Sequence, residues 1–595
     1  MSISTNQHLI DQTMQNAYGL HQQGDLSSAE KLYQQVLQLD PNHSDANRLL
    51  GLIFYSLGHH NEAVQLLNKA ISVKPKFAQN HFILGGMYKH LSETDKAIAC
   101  YKKCISLQPD FMEAYNNLGL IYKAKKMFSD AITCFNNALK QQPNSSYTWS
   151  NLGNTLKETG RLDEALEALE KAFTIDPSFS EAFSNYLMAL NYGSDSDLNT
   201  VFKQHAQWEN YCPSELKAKR FQFQAREAKS KLRIGYVSPD FHTHSVAYFI
   251  EPLLKAHNKE NVELFGYYNN TVFDQTNARI QTYFDSWLNI SSMSDAEAAV
   301  KMFEDKLDIL IDLAGHSANN VLAILYQKPA PIQVTWLGYP NTTGLSMVDY
   351  RITDSLADPE GAADSIHSET LLRLENGFLC YEGDKNIPTQ NTIPYDKNGY
   401  FTFGSFNNYV KVTPEVIDVW AEILNIVPKS KLILKSSQFA DKETKGRCIK
   451  LFKKQGIAKE RLNLVAMLPN PNDHMSFYGE LDLALDPFPY NGTTTTFEAL
   501  WMGVPTLTLS GNVHASRVGE SILSRVGLDS FVSHSKQDYI KLAKLKSESL
   551  DELRGLRGSL RDSMINSPLC DQQGFAKQME SAYQYMWEKY QQSLG

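Results

Sequence analysis

The chain has 595 residues, 42% of them hydrophobic, which is ordinary globular composition and enough for about three to five domains. Its formal charge of −9 and pI near 6.0 argue against a nucleic-acid binder, and no apolar run reaches membrane-spanning length. The first residues, MSISTNQHLIDQTMQ, lack a basic region followed by an apolar core, and the seven cysteines include no C-x-x-C pair, so no signal peptide is expected and the setting reads as cytoplasmic and reducing.

The first third is periodic. Leu50-Gly51, Leu84-Gly85, Leu118-Gly119 and Leu152-Gly153 recur every 34 residues, as do Ala29, Ala63, Ala97, Ala131 and Ala165. Pro41, Pro75, Pro109, Pro143 and Pro177 keep the same period, and Tyr33, Leu67, Tyr101, Phe135 and Leu169 follow the alanines by four residues. Small residues let two helices approach closely, and each proline stops the second helix. The pattern resembles the tetratricopeptide repeat. Five full repeats and a partial sixth are expected over residues 10–193, an α-solenoid whose concave face binds protein. Asn117, Asn151 and Asn185 stand one repeat apart, and their amides could pair with the backbone of an extended peptide. Asparagine is equally at home on a solvated helix face.

Residues 194–228 read as a helical connector. Then the period changes. KLRIGYVS (231–238), VELFGYY (262–268), DILIDLAG (308–315) and IQVTWLG (332–338) are short β-rich runs separated by helix-length stretches. FTFGSF (401–406), KLILK (431–435), LNLV (462–465), LDLALD (481–486) and PTLTLS (505–510) repeat the alternation. Two Rossmann-like domains with parallel sheets follow, over residues 229–390 and 399–595, the second ending in a helix that returns to the body. A ligand is expected in the cleft between them, at the carboxyl ends of the strands.

In LDLALDPFPYNGTTTTFEALWMGVP a strand, a Pro- and Asn-Gly-marked turn and a helix that stops at Gly503 follow one another. Thr493, Thr494 and Thr495 sit at the turn-to-helix junction, where free N–H groups and the helix dipole suit a diphosphate and a hydroxyl can cap the helix. Glu498, one turn in, is placed to accept from ribose hydroxyls. A capped structural helix is the plainer reading of the same residues.

The E-A-L-x-x-G-x-P stretch is similar to the donor helix of GT-B glycosyltransferases. Residues 229–592 resemble the catalytic region of the protein O-linked N-acetylglucosamine transferase family. WLGYPNTTG (336–344), DYRITDSLADP (349–359), FGSFNN (403–408) and PYNGTTTT (489–496) look most like its plant SPINDLY branch. The resemblance implies an inverting, metal-independent protein O-glycosyltransferase with a repeat array that binds protein acceptors. The implied donor is UDP-N-acetylglucosamine, or GDP-fucose as in the SPINDLY branch. A non-catalytic repeat scaffold is the remaining alternative, and a homodimer is left open. Cofactors are not implied. A D-x-D pair, Asp195 and Asp197, lies in the connector, away from either strand edge, so no metal ligand set is expected.

By resemblance Lys411, before a helix that Thr413 can cap and Pro414 can open, meets the donor diphosphate, with Asn408 as a nucleotide contact. His474 is similar to the histidine beside the nucleotide base, but Pro471 stands where the N-acetylglucosamine transferases carry a lysine. His244, with His242 close by, matches an active-site histidine near the sugar. Asp312 and His316 are implied on the sugar or acceptor side.

Overall fold

The computed structural model describes residues 3–193, 197–212, 216, 221–223, 231–468 and 470–594. Asp195 and most of the expected connector lie outside the described residues. The chain forms two compact units, Met1–Leu152 and Gly153–Gly595.

The first unit is built from helix hairpins: Ile3–Gln22 with Leu26–Leu39, Ser44–Ser56 with His60–Val73, Ala78–His90 with Thr94–Leu107, and Met112–Ala124 with Phe128–Gln141. The repeated glycines explain the close approach. A Cβ on Gly51 would meet Leu67 at 2.4 Å, one on Gly85 would meet Tyr101 at 2.9 Å, and one on Gly119 would meet Phe135 at 2.7 Å. Ala29, Ala63, Ala97 and Ala131 are wholly buried, as are Tyr33, Leu67, Tyr101 and Phe135. Each second helix ends two residues before its proline, at Leu39, Val73, Leu107 and Gln141, because the residue ahead of proline is driven out of the helical region. Helix Ser146–Glu158 carries the pattern across the boundary at Leu152.

The second unit continues with helices Leu162–Ile175, Ser180–Leu190 and Leu198–Ala206. Asp197 caps the last of these by accepting from the Thr200 amide and hydroxyl, both at 2.9 Å. Two fully parallel sheets follow. The first holds β1 (Leu232–Ser238), β2 (Val262–Tyr268), β3 (Ser286–Asn289), β4 (Ile309–Asp312), β5 (Ile332–Thr335), β6 (Tyr350–Thr353) and β7 (Thr370–Arg373), in the order β3-β2-β1-β4-β5-β6-β7. The second holds β8 (Phe401–Ser405), β9 (Ser430–Lys435), β10 (Leu462–Val465), β11 (Leu483–Leu485), β12 (Thr506–Leu509) and β13 (Val532–Ser533), in the order β10-β9-β8-β11-β12-β13. Both orders reverse beside the first strand of the sheet, between β1 and β4 and between β8 and β11. Loops leaving the strand ends there diverge and open a crevice.

The motifs single out the seam between the two sheets. Asp354, fully buried after β6, accepts from Ser521 Oγ at 2.6 Å and pairs with Arg525 at 3.3 Å. Asp358 accepts from Thr353 Oγ1 at 2.5 Å and from His514 Nδ1 at 2.7 Å. Burial works against the Asp358 carboxylate, but the charges and hydrogen bond of His514 and its neighbours hold its pKa far below the usual range. Helix Gln572–Leu594 lies back on the first sheet's side, where Glu580 takes His257 Nδ1 at 3.0 Å and Tyr583 meets Tyr236 hydroxyl to hydroxyl at 2.6 Å. Among the described residues no helix is long and apolar enough to cross a membrane.

Candidate functional site

The loops after β8 and β11 supply the centre of the site. Beyond β8, Asn408 opens a short 3-10 turn, Tyr409–Lys411, by accepting from the Val410 amide at 3.2 Å. Thr413 then caps helix Pro414–Ile426 through the Val416 amide at 3.3 Å, with Pro414 at its first position, as the sequence predicts. Lys411 is thereby fixed at the strand's carboxyl end. Its ammonium donates to the Asn491 carbonyl at 2.7 Å and lies 3.9 Å from the centroid of the Tyr490 ring. Tyr490 is stacked in turn on Tyr192, with ring centroids 5.2 Å apart.

Beyond β11 the backbone turns at Gly492, whose amide donates to Asp486 Oδ1 at 2.6 Å. A Cβ on Gly492 would meet Thr495 Oγ1 at 2.5 Å and Asn407 Oδ1 at 2.9 Å, so only glycine fits. Asp486 is wholly buried and also accepts from Thr508 Oγ1 at 2.8 Å. Burial pushes the Asp486 carboxyl up, against its Gly492 and Thr508 bonds and the Lys411 charge. Burial pushes Lys411 down, and Asp486 opposes that shift.

The helix begins at Thr494 and ends at Trp501, three residues earlier at its start than a helix opening on Phe497. The expected hydroxyl cap is absent: the Thr493 side chain makes no capping bond. Thr495 Oγ1 instead donates to Asn407 at 3.0 Å, and Thr496 Oγ1 to the Gly492 carbonyl at 3.1 Å. Among the described residues, the backbone N–H groups of Thr493, Thr494 and Thr495 find no protein acceptor. They form a row of donors at a helix N-terminus beside the Lys411 loop. Gly503, at φ +76°, ends the helix in the left-handed conformation that favours glycine.

Glu498 lies one turn into this helix. Its Oε2 accepts from His474 Nε2 at 2.9 Å and from the Tyr478 hydroxyl at 2.9 Å. His474 stands on helix Pro471–Phe477, and its Nδ1 takes the Lys435 ammonium from the last residue of β9. Phe406, Phe477 and Tyr478 wall this corner, with Phe406 and Phe477 stacked at 5.3 Å.

From the first sheet, His244 caps helix Ser245–Ala256 by accepting the Val246 amide at Nδ1, at 3.3 Å. Its ring stacks on His242 with centroids 5.8 Å apart, and burial lowers its pKa. This helix meets the threonine helix through Phe249 and Phe497, edge to face at 5.1 Å. Asp240, 3.6 Å from His244, is pushed up to about 6 by burial, with His242 pulling the other way.

Two expected residues do not reach the cleft. Asp312 is wholly buried and closes the turn after β4, accepting from the Ala314 and Gly315 amides at 3.1 and 2.8 Å and from Thr335 Oγ1 at 3.2 Å. His316 is 1% exposed; its Nε2–H donates to the Thr343 carbonyl at 2.7 Å, and its Nδ1 accepts from Ser184 Oγ at 3.1 Å. Neither has an atom left for a sugar. Of the asparagines, Asn117 and Asn151 occupy equivalent half-buried positions of helices Met112–Ala124 and Ser146–Glu158. Asn151 Nδ2 is already given to Asn116 Oδ1 at 3.2 Å. Asn185 lies half-buried on helix Ser180–Leu190.

Sequence reasoning overlooked Asn407, Lys435, Tyr478, Asp486 and Tyr490. Lys435 and Asp486 each stand at or just past a strand's carboxyl end, in runs read only as strands, and that position was the available signal.

Comparison with known proteins places this geometry. Residues 201–388 and 390–579 match the model of glycosyl transferase family 41, and residues 20–80, 85–126 and 110–178 match tetratricopeptide repeat models. A probable UDP-N-acetylglucosamine–peptide N-acetylglucosaminyltransferase SPINDLY of Petunia hybrida is 40% identical over 413 residues, 68% of this chain and 44% of that one. The SPINDLY of Arabidopsis thaliana is 40% identical over 414 residues, 68% of this chain and 45% of its own. The chain therefore spans less than half the length of these relatives. A solved structure of a mutant O-GlcNAc transferase of Thermobaculum terrenum is 30% identical, with a TM-score of 0.81, and covers 87% of this chain and 98% of that one.

Proposed function

Because the chain belongs to glycosyl transferase family 41, we propose that it is a protein O-glycosyltransferase that moves N-acetylglucosamine from UDP-N-acetylglucosamine to Ser or Thr hydroxyls. The observation that carries this reading is the convergence, at the β8 and β11 strand ends, of the Lys411 ammonium with the unpaired N–H groups of Thr493, Thr494 and Thr495. A diphosphate gains charge as the sugar bond breaks, and fixed donors stabilise it without reorganising. The acceptor hydroxyl attacks the anomeric carbon from the face opposite the diphosphate, so the configuration inverts. Bond making at carbon and departure of the nucleoside diphosphate balance, with the hydroxyl proton passing to a base or to solvent.

Glu498, with Oε2 held by His474 and Tyr478, keeps Oε1 for a ribose hydroxyl. His244, already accepting at Nδ1, carries its proton on Nε2 when neutral and so serves as a donor to sugar or acceptor oxygen. In this reading Lys411 and the helix N-terminus supply the charge stabilisation for which other transferases use a metal. The repeats supply a surface for extended protein acceptors. A second reading, GDP-fucose as donor, draws on Pro471 at the position where a lysine is implied for the N-acetylglucosamine donor. Calorimetry with UDP and GDP tests the assignment. UDP binding that Lys411→Ala weakens supports it, a preference for GDP moves the donor to fucose, and binding of neither contradicts both.

A further inference from the structure

Lys435 is a cation that the proposed chemistry does not use. It ends β9 in register with Val465 of β10 and is 5% exposed. Lysine is almost never buried so deeply without a task or a partner. Its one hydrogen bond among the described residues goes to His474 Nδ1, so two of its three N–H donors are uncommitted. Because Lys435 donates to Nδ1, His474 carries its own proton on Nε2 and passes it to Glu498, which Tyr478 also holds. The order Lys435–His474–Glu498–Tyr478 is a directional chain whose free end is an ammonium.

Its place in the sheet says what it faces. The diphosphate donors lie at the ends of β8 and β11. β9 is the next strand outward from β8, and β10 the next beyond it, each step about 4.8 Å. A nucleotide with its diphosphate at Thr493–Thr495 and its ribose at Glu498 runs outward along this edge, toward Lys435 and His474. The corner there is walled by aromatic rings. Phe406 lies 5.3 Å from both the Lys435 ammonium and the Phe477 ring. Flat apolar walls with a single donor at the edge suit a nucleobase.

We propose that Lys435 is a donor-specificity residue: its ammonium meets the carbonyl oxygen of a keto base, uracil O4 or guanine O6, and disfavours cytosine and adenine. At those positions cytosine and adenine carry amino groups, which are donors, and an ammonium has no acceptor to offer them. The assignment rests on the reading of the cleft as a nucleotide-sugar site. The same chemistry fits a uridine or a guanosine nucleotide, and the two are separated by the arms of the test.

The test is calorimetry of the full chain and of Lys435→Met with UDP, GDP, CDP, ADP and inorganic pyrophosphate. The wild type is expected to bind at least one of UDP and GDP about ten- to a hundredfold more tightly than CDP and ADP. Lys435→Met should erase that preference and leave pyrophosphate affinity unchanged, which also shows that the variant is folded. Lys435→Arg, which keeps the donors, should retain the preference. A preference that survives Lys435→Met overturns the inference while leaving the donor site standing. An equal loss for pyrophosphate and all four nucleotides overturns it too, because Lys435 would then serve the diphosphate. Failure of the wild type to bind any nucleoside diphosphate removes the donor-site reading itself, and the inference with it.

Discussion

Lys411 and Lys435 stand in one crevice, and they answer to substitution in opposite ways. Truncating Lys411 to Ala removes the cation beside the departing diphosphate and leaves the wholly buried Asp486 without its counter-charge. Turnover at saturating donor is expected to fall by about 10²–10³-fold, the scale seen when one fixed stabiliser of transition-state charge is lost. A kcat within a few-fold of the wild type would refute that role. Lys435 costs stability instead. Burial pushes it down to about 8 from its ordinary 10.5, with Glu498 pulling it partly back, so the folded chain binds that proton more weakly than the unfolded one. Between about pH 8 and 10.5 the unfolded state therefore holds more protons, and this group's contribution to stability rises with pH across that window. At neutral pH holding the charge costs roughly 3 kcal/mol. Lys435→Met should recover much of it, less the bond to His474, in urea unfolding at pH 7. The gain should shrink toward pH 10. A variant less stable than wild type at both pH values would mean that the buried ammonium is a structural pin.

Helices and strands set the next scale. The repeat hairpins close because Gly119 leaves no Cβ to strike Phe135, which would lie 2.7 Å away. Gly119→Ala is expected to cost about 1–3 kcal/mol by overpacking, read as a lower urea midpoint for the helical transition. No change there would mean that the Phe135 ring shifts freely. In the seam between the sheets, Asp358→Asn removes the charge facing buried His514 and should cost about 3–5 kcal/mol by thermal unfolding. The repeats were legible in sequence because a 34-residue period repeats its own evidence at Gly51, Gly85 and Gly119. Nine strands were legible from their apolar β-branched runs. β3, β6, β7 and β13 were not: β13 has only two residues, and Ser286–Asn289 is a partly exposed edge strand with no β-branched residue. In the site, Lys411 and the threonines were readable because a strand end, a turn and a helix start adjoin them in sequence. The Lys435–His474 contact spans 39 residues and the Lys411–Asn491 contact 80, so only the sheet order brings them together. His316 misled for a physical reason. It follows a strand end, as rim residues do, but the turn through Gly315, at φ +53°, carries it inward to Ser184 and Thr343.

Across the whole molecule, a repeat array that fits protein segments is joined in one chain to a cleft that fits a nucleotide sugar. An acidic balance of −9 suits neither a nucleic-acid substrate nor an anionic membrane surface. The most direct test of the account is transfer itself. The full chain is incubated with UDP-N-acetylglucosamine and an array of extended Ser- and Thr-bearing peptides, and the products are read by mass spectrometry with fragmentation that keeps the glycan attached. The account predicts a single N-acetylhexosamine on Ser or Thr side chains, absent with Lys411→Ala. Transfer from GDP-fucose alone, or from neither donor, would contradict it.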